Sequence, residues 1–142
     1  MGENAAILTE WYERVWQNGE AEAIDTLMKP DTLAGGLVPG MQIGPDEFKL
    51  LVATLDELIE APKVRMEKLI EVGDWVSAFI TFQATPRDGS PSFDCSAMTF
   101  ARIKGGKIVE AYNTLDFVMF FESLGLLPPD TVALLLSGQA LQ

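Results

Sequence analysis

Apolar residues recur at three- and four-residue spacings in the first third of the chain, and mostly at alternate positions after it. Leu8, Trp11, Tyr12, Val15 and Trp16 fall on one helical face, and Asn18-Gly19 predicts where that helix ends, since both residues tolerate left-handed backbone. A second, short helix carries Ala23, Ile24, Leu27 and Met28 on its buried side and is limited by Pro30. Residues 31–44 contain Gly35, Gly36, Pro39, Gly40 and Gly44, which predict a loop with a short strand around 32–37. That loop is apolar (Leu33, Leu37, Val38, Met41), so it either packs on the core or lids a pocket. Pro45 suits the first position of a third helix, where Asp46 and Glu47 favour the positive end of the helix dipole. Phe48, Leu51, Val52, Leu55, Leu58 and Ile59 form its apolar face, and Ala61-Pro62 is the predicted stop.

The period then changes to two. Val64, Met66, Ile70 and Val72 share one parity, interrupted by Leu69, and Gly73-Asp74 signals a tight turn. From Trp75 to Thr85, bulky apolar groups stand on both faces, which predicts a central strand covered on both sides. Pro86–Pro91 reads as an exposed turn, residues 92–103 as a long strand, and Lys104-Gly105-Gly106-Lys107 as the turn into a last strand over 108–115. Phe117–Leu124 reads as a short apolar helix closed by Gly125, and the apolar tail 131–136 as a final helical turn that docks on the body or on a partner chain. Helices first and antiparallel hairpins after them predict an α+β fold. With no repeat, low-complexity run or linker, a single domain over 1–142 is expected.

A chain of 142 residues can bury one sizeable core, and a hydrophobic fraction of 48% argues against disorder. The net charge of −11 argues against nucleic acid and anionic membrane surfaces as partners. No apolar run has transmembrane length and the N-terminus lacks a signal-peptide pattern, so a cytoplasmic protein is expected. The single cysteine, Cys95, forbids an internal disulfide and reads as a small core residue. The chain has no histidine, which excludes a Ser-His-Asp triad, a Cys-His dyad and a histidine-based zinc site. Acid or base chemistry then falls to carboxylates, tyrosine, lysine or the thiol.

Two stretches carry a resemblance. The run Ala101–Asp116 holds Arg102, the turn and strand Gly106-Lys107-Ile108, Glu110, the aromatic Tyr112, and an aspartate, Asp116, before an apolar helix that ends Ser123-Leu124-Gly125. Near the start stand Val15-Trp16-Gln17-Asn18-Gly19-Glu20, then Ala23-Ile24 and Pro30-Asp31. In both, the chain resembles the SnoaL-like proteins of the nuclear-transport-factor-2-like superfamily, across nearly its whole length in element order. The resemblance implies a cone, in which a curved antiparallel sheet wraps the N-terminal helices and leaves an apolar pocket at its open end. It implies a homodimer formed through the outer face of the sheet. It also implies a small apolar ligand and, in the cyclases and isomerases of the group, chemistry that needs no cofactor. Asp116 matches the acidic residue that carries the proton in the cyclases. The chain departs from those members that place a histidine in the pocket, and neither Arg102 nor Asp94 matches the spacing of the related epoxide hydrolases.

Each candidate keeps an ordinary structural reading beside its functional one. Asp116 is either a desolvated pocket acid–base or the N-cap of the helix that follows. Tyr12 and Trp16 are pocket walls or plain core. Tyr112 offers a phenolic donor or packs as a core aromatic, and Asn113, on the opposite strand face, is polar lining or an edge contact. Phe100 and Arg102 share a strand face with Asp94, Ser96 and Met98, which fits a pocket lining and a dimer face equally well. The expected function is acid–base chemistry on an apolar carbonyl compound through Asp116. The alternative is a non-catalytic ligand-binding or dimerisation module.

Overall fold

A computed structural model of the chain describes residues 2–141. Helices come first: α1 (Glu3–Trp11), a π-helical continuation over Tyr12–Gln17, α2 (Ala21–Leu27) and, after the two-residue β1 (Ala34–Gly35), α3 (Pro45–Asp56). Four long strands follow: β2 (Ile59–Val72), β3 (Trp75–Pro86), β4 (Phe93–Lys104) and β5 (Lys107–Leu115). Two short helices, α4 (Phe117–Ser123) and α5 (Thr131–Leu136), end the described chain. The α+β expectation holds. β2 to β5 form an antiparallel meander, while β1 runs parallel to β5, so the five-stranded sheet (β1-β5-β4-β3-β2) is mixed, curved and unclosed.

Register explains the broken alternation in β2. Val64 lies opposite Phe82 and Met66 opposite Ile80, both on the buried side. The pairing then shifts between Met66 and Lys68, so Leu69 meets the buried Ala78 while Ile70 meets Ser77. A bulge inserts one residue and swaps which parity faces in. Leu69 therefore faces the core, and Ile70 and Val72 point outward and are exposed.

The third helix stops earlier than its apolar face suggests. Ile59 belongs to β2, opposite Pro86, and the strand runs on through Ala61-Pro62, where a second register shift accommodates the proline. Ladder pairing with β3 wins over local helical periodicity there. The outer face of β3 is not covered by the chain: Phe79 is 40% exposed. Trp75, on the same face, is half-buried.

The core lies between the inner face of the sheet and the helices. Val76, Ala78 and Ile80 of β3 and Ala101 and Ile103 of β4 pack against Leu8, Trp11, Tyr12 and Val15. Two side chains of the helical layer and sheet fix the first helix across β2. Glu71 Oε1 accepts from the Ala5 amide at 2.7 Å, occupying a free N–H at the helix start, and Gln17 Oε1 accepts from the Val64 amide at 2.9 Å. A second cluster, built on Leu55, Ile59, Phe82, Cys95 and Phe120, seats α4 against the sheet.

Candidate functional site

A cavity opens between the first helix, α3 and the inner face of the sheet. Its cavity volume, counted as space for the centre of a water-sized sphere, is about 40 Å³. Trp11, Tyr12 and Trp16 form one wall, Phe48 and Leu55 a second, and Ile80, Phe82, Ala97 and Leu115 the floor; Leu37, from the loop after β1, reaches it as well. The π-helical stretch accounts for the first wall. Bonding from residue i to i+5 brings Trp11 and Trp16 nearer to one line along the helix than α-helical winding would. Space is left because the inner parity of the facing strands carries small residues: Ala97, Thr99 and Ala101 on β4, and Ala111 on β5.

Tyr12, Asn113 and Thr114 are the polar residues of this largely apolar lining, and Thr99 stands behind Asn113. Thr99 and Asn113 are direct cross-strand partners, and the Thr99 hydroxyl donates to Asn113 Oδ1 at 2.7 Å. The Tyr12 phenol stands beside Thr99. Burial pushes the Tyr12 pKa up to about 12, and the Thr99 hydroxyl pulls it back by a smaller amount. Tyr12 is thus a protonated, neutral donor throughout the physiological range.

Of the residues expected at the site, Tyr12, Trp16 and Asn113 line the cavity together. Phe100, Arg102 and Tyr112 do not, which corrects the expectation that they line it. Thr99, Ala101 and Asn113 face inward, so their strand neighbours face out. On that outer face Phe100 stacks on Trp75 with ring centroids 4.5 Å apart. The Arg102 guanidinium lies 5.9 Å from the Trp75 ring and donates from Nε to Glu110 Oε1 at 3.0 Å. The Tyr112 hydroxyl donates to the other oxygen of Glu110. That bond raises the Tyr112 pKa, while Glu110, held by Tyr112 and Arg102, is lowered.

Asp116 ends β5 and caps α4. Its Oδ1 accepts from the Met119 amide at 3.1 Å, and its own amide donates to the Ser96 carbonyl at 2.9 Å. The residue is exposed and does not line the cavity, although its neighbour Leu115 does, which corrects the expectation of a desolvated pocket acid. Burial, with added repulsion from Asp116 and Asp94, pushes the Cys95 thiol up to about 12, so Cys95 is an inert thiol. Among the described residues no three His, Cys, Asp or Glu side chains are grouped so as to hold a metal ion, and no helix is long and apolar enough to cross a membrane. Sequence reasoning missed Trp11 and Phe48 in the lining and Thr99 as the partner behind Asn113. The signal available for Thr99 was its place in the small-residue parity of β4.

The family model for SnoaL-like polyketide cyclases matches residues 6–124. The chain belongs to this family. Among solved structures, a candidate polyketide cyclase from Bacillus cereus is similar at 25% identity and a TM-score of 0.79, over 88% of this chain and 82% of that one. IdmH from Streptomyces antibioticus, also a candidate polyketide cyclase, is 16% identical with a TM-score of 0.75, over 87% and 99% of the two chains. A Catenulispora acidiphila protein described as having a ketosteroid isomerase-like fold is 21% identical with a TM-score of 0.72, over 85% and 93%. The last two likenesses show the fold alone. No curated protein matches the chain. In this SnoaL-like chain, α5 and the residues around it lie beyond the family match.

Proposed function

We propose that the cavity binds a small apolar carbonyl compound and that the Tyr12 phenol, with Thr99 and Asn113 behind it, holds the carbonyl oxygen. Family membership supports a cyclase- or isomerase-like function for such a site. The observation that carries the proposal is a buried, protonated phenol on the wall of a cavity whose lining is apolar but for Asn113 and Thr114. A donor so placed is worth more to an oxygen that gains negative charge, as a ketone does when it loses a proton from the neighbouring carbon. In that step the C–H electron pair moves through the carbon–carbon bond to the oxygen, and the resulting enolate attacks a second carbonyl or takes up a proton elsewhere. By family likeness the proton goes to Asp116. That carboxylate holds the Met119 amide, so it serves the reaction by leaving its cap.

The geometry therefore supports carbonyl binding further than it supports proton transfer. Titration with an aryl ketone tests the first: Tyr12→Phe should weaken binding roughly fivefold, the loss of about 1 kcal/mol of hydrogen bond. Equal binding by both proteins rejects the role of Tyr12. Turnover by Asp116→Asn at the wild-type rate rejects the role of Asp116.

A second reading, dimerisation through the sheet, is supported by the outer face. Phe79, Met98, Phe100 and Tyr112 stand on adjacent registers and are 40–54% exposed. Arg102 and Glu110 at its edge give it both signs of charge, which suits a patch that meets its own copy about a two-fold axis. Sedimentation should give a dimer, and Met98→Glu a monomer; a wild-type monomer at micromolar concentration ends this reading.

A further inference from the structure

We propose that residues 36–42 form a lid over the cavity and that Leu37 is its plug, which an entering ligand displaces. This rests on the reading of the cavity as a ligand site and goes beyond it by naming the part that moves.

The cavity as it stands is too small for an aryl ketone. Its volume is about 40 Å³, whereas a dry pocket that takes up benzene measures about 150 Å³. A wall must therefore give way before such a ligand enters. Every lining residue but one belongs to a helix or to a long strand of the sheet. The exception is Leu37, which lies in the loop between β1 and α3 and is buried.

That loop is tied at its ends and almost nowhere else. Ala34 and Ile43 exchange both backbone hydrogen bonds, each 2.8 Å, and both residues are buried, so the two ends are pinned together. Among the described residues, 37–42 make one backbone hydrogen bond outside the helices and strands, from the Met41 amide to the Val38 carbonyl at 3.1 Å, and it stays within the loop. Gln42 is the only polar side chain of 37–42, and it is exposed. Leu37 is the only fully buried residue between Ala34 and Ile43, so its side chain is the loop's main grip on the body. A segment held this way opens locally more readily than the helices and strands around it. Gly36 (φ +85°) and Gly40 (φ +75°) supply small residues at which the backbone can pivot, and nothing lies within 4 Å of where a Gly40 Cβ would stand. Burial of one leucine side chain favours the closed loop roughly tenfold to a hundredfold, which leaves a minor open population to admit ligand.

Two measurements on the full chain test this. The first reads access. Trp11 and Trp16 line the cavity, and the third tryptophan, Trp75, stacks on Phe100 at the outer face, so in a Trp75→Phe background the emission reports the cavity alone. Leu37→Ala should raise quenching by acrylamide about twofold or more, while Met41→Ala, on the same loop but exposed, should leave it unchanged. Equal quenching in Leu37→Ala and its parent overturns the plug. The second measurement reads motion. Spin labels on Met41→Cys in the loop and Leu50→Cys on α3, both exposed positions, in a Cys95→Ala background give a distance distribution by pulsed electron paramagnetic resonance. Adding Leu37→Ala should broaden that distribution with no ligand present, and acetophenone should shift it to longer distance in the parent. If acetophenone binds and the labels do not move, this inference alone fails. If no ketone binds, the carbonyl-binding reading fails, and an unchanged distribution in Leu37→Ala then overturns the lid as well.

Discussion

The ionisation of Tyr12 should set part of the alkaline stability limit of the protein. In the unfolded chain its phenol ionises near the ordinary value of 10.0; in the fold burial raises this to about 12. Between those values the unfolded state releases its proton and the folded state keeps it, so stability falls as pH rises. The contribution is fully present below about pH 10 and exhausted above about pH 12. At pH 11 one unit of the difference has been lost, about 1.4 kcal/mol. Urea unfolding followed by tryptophan fluorescence at pH 8 to 11 measures it. Cys95 is also raised by burial and would contribute a similar alkaline loss, so the comparison belongs in a Cys95→Ala background. There, adding Tyr12→Phe should flatten the profile by about 1.4 kcal/mol at pH 11. The chain has two tyrosines, so in Tyr112→Phe the ultraviolet phenolate band reports Tyr12 alone. An unchanged alkaline slope in the Phe variant, or a phenolate appearing near pH 10, would refute a buried, proton-holding phenol at the cavity wall.

Asp116→Ala should cost about 1 kcal/mol by freeing the Met119 amide at the start of α4, while Asp116→Asn, which caps equally well, should leave urea stability unchanged. Equal stability of wild type and Asp116→Ala would deny the cap. Gly36 has φ +85° and a Cβ there would stand 2.6 Å from the Asn113 carbonyl oxygen, so Gly36→Ala should destabilise the protein and loosen the cavity wall. The check is hydrogen exchange at the β5 amides, which should speed up; unchanged exchange and stability would contradict the close approach. Glu71→Ala should lower stability by about 1 kcal/mol or more through the unpartnered Ala5 amide, measured by thermal unfolding, and an unchanged midpoint would show that water replaces the carboxylate without loss.

The element order and the two parities of β3 were legible in the sequence because helical and strand periods are separated along this chain, but the expectation that both faces of β3 are covered was not met. The first helix was legible from Leu8 to Trp16, but its π-helical half was not: no residue type marks a change from i+4 to i+5 bonding. Leu69 looked like noise in an alternating pattern and turned out to register a bulge, since a bulge is a property of two strands and only one is visible at a time. The same limit applied to the candidate site. Strand parity correctly put Phe100 with Arg102, and Tyr112 opposite Asn113, yet parity does not say which face is buried. That depends on the small residues of β4 and β5 and on the helices that cover them. Asp116 was seen both as a cap and as a proton carrier; its bond to Met119 establishes the first, and the second stays with the proposal.

The central claim is that Tyr12 holds a ligand carbonyl inside the cavity, and the stretching frequency of a bound ketone tests it most directly. Infrared difference spectra of carbon-13 carbonyl-labelled acetophenone with wild type should show the band moved to lower frequency than in an apolar solvent, and Tyr12→Phe should return it towards the apolar-solvent value. A bound ketone whose band is the same in both proteins would contradict the account.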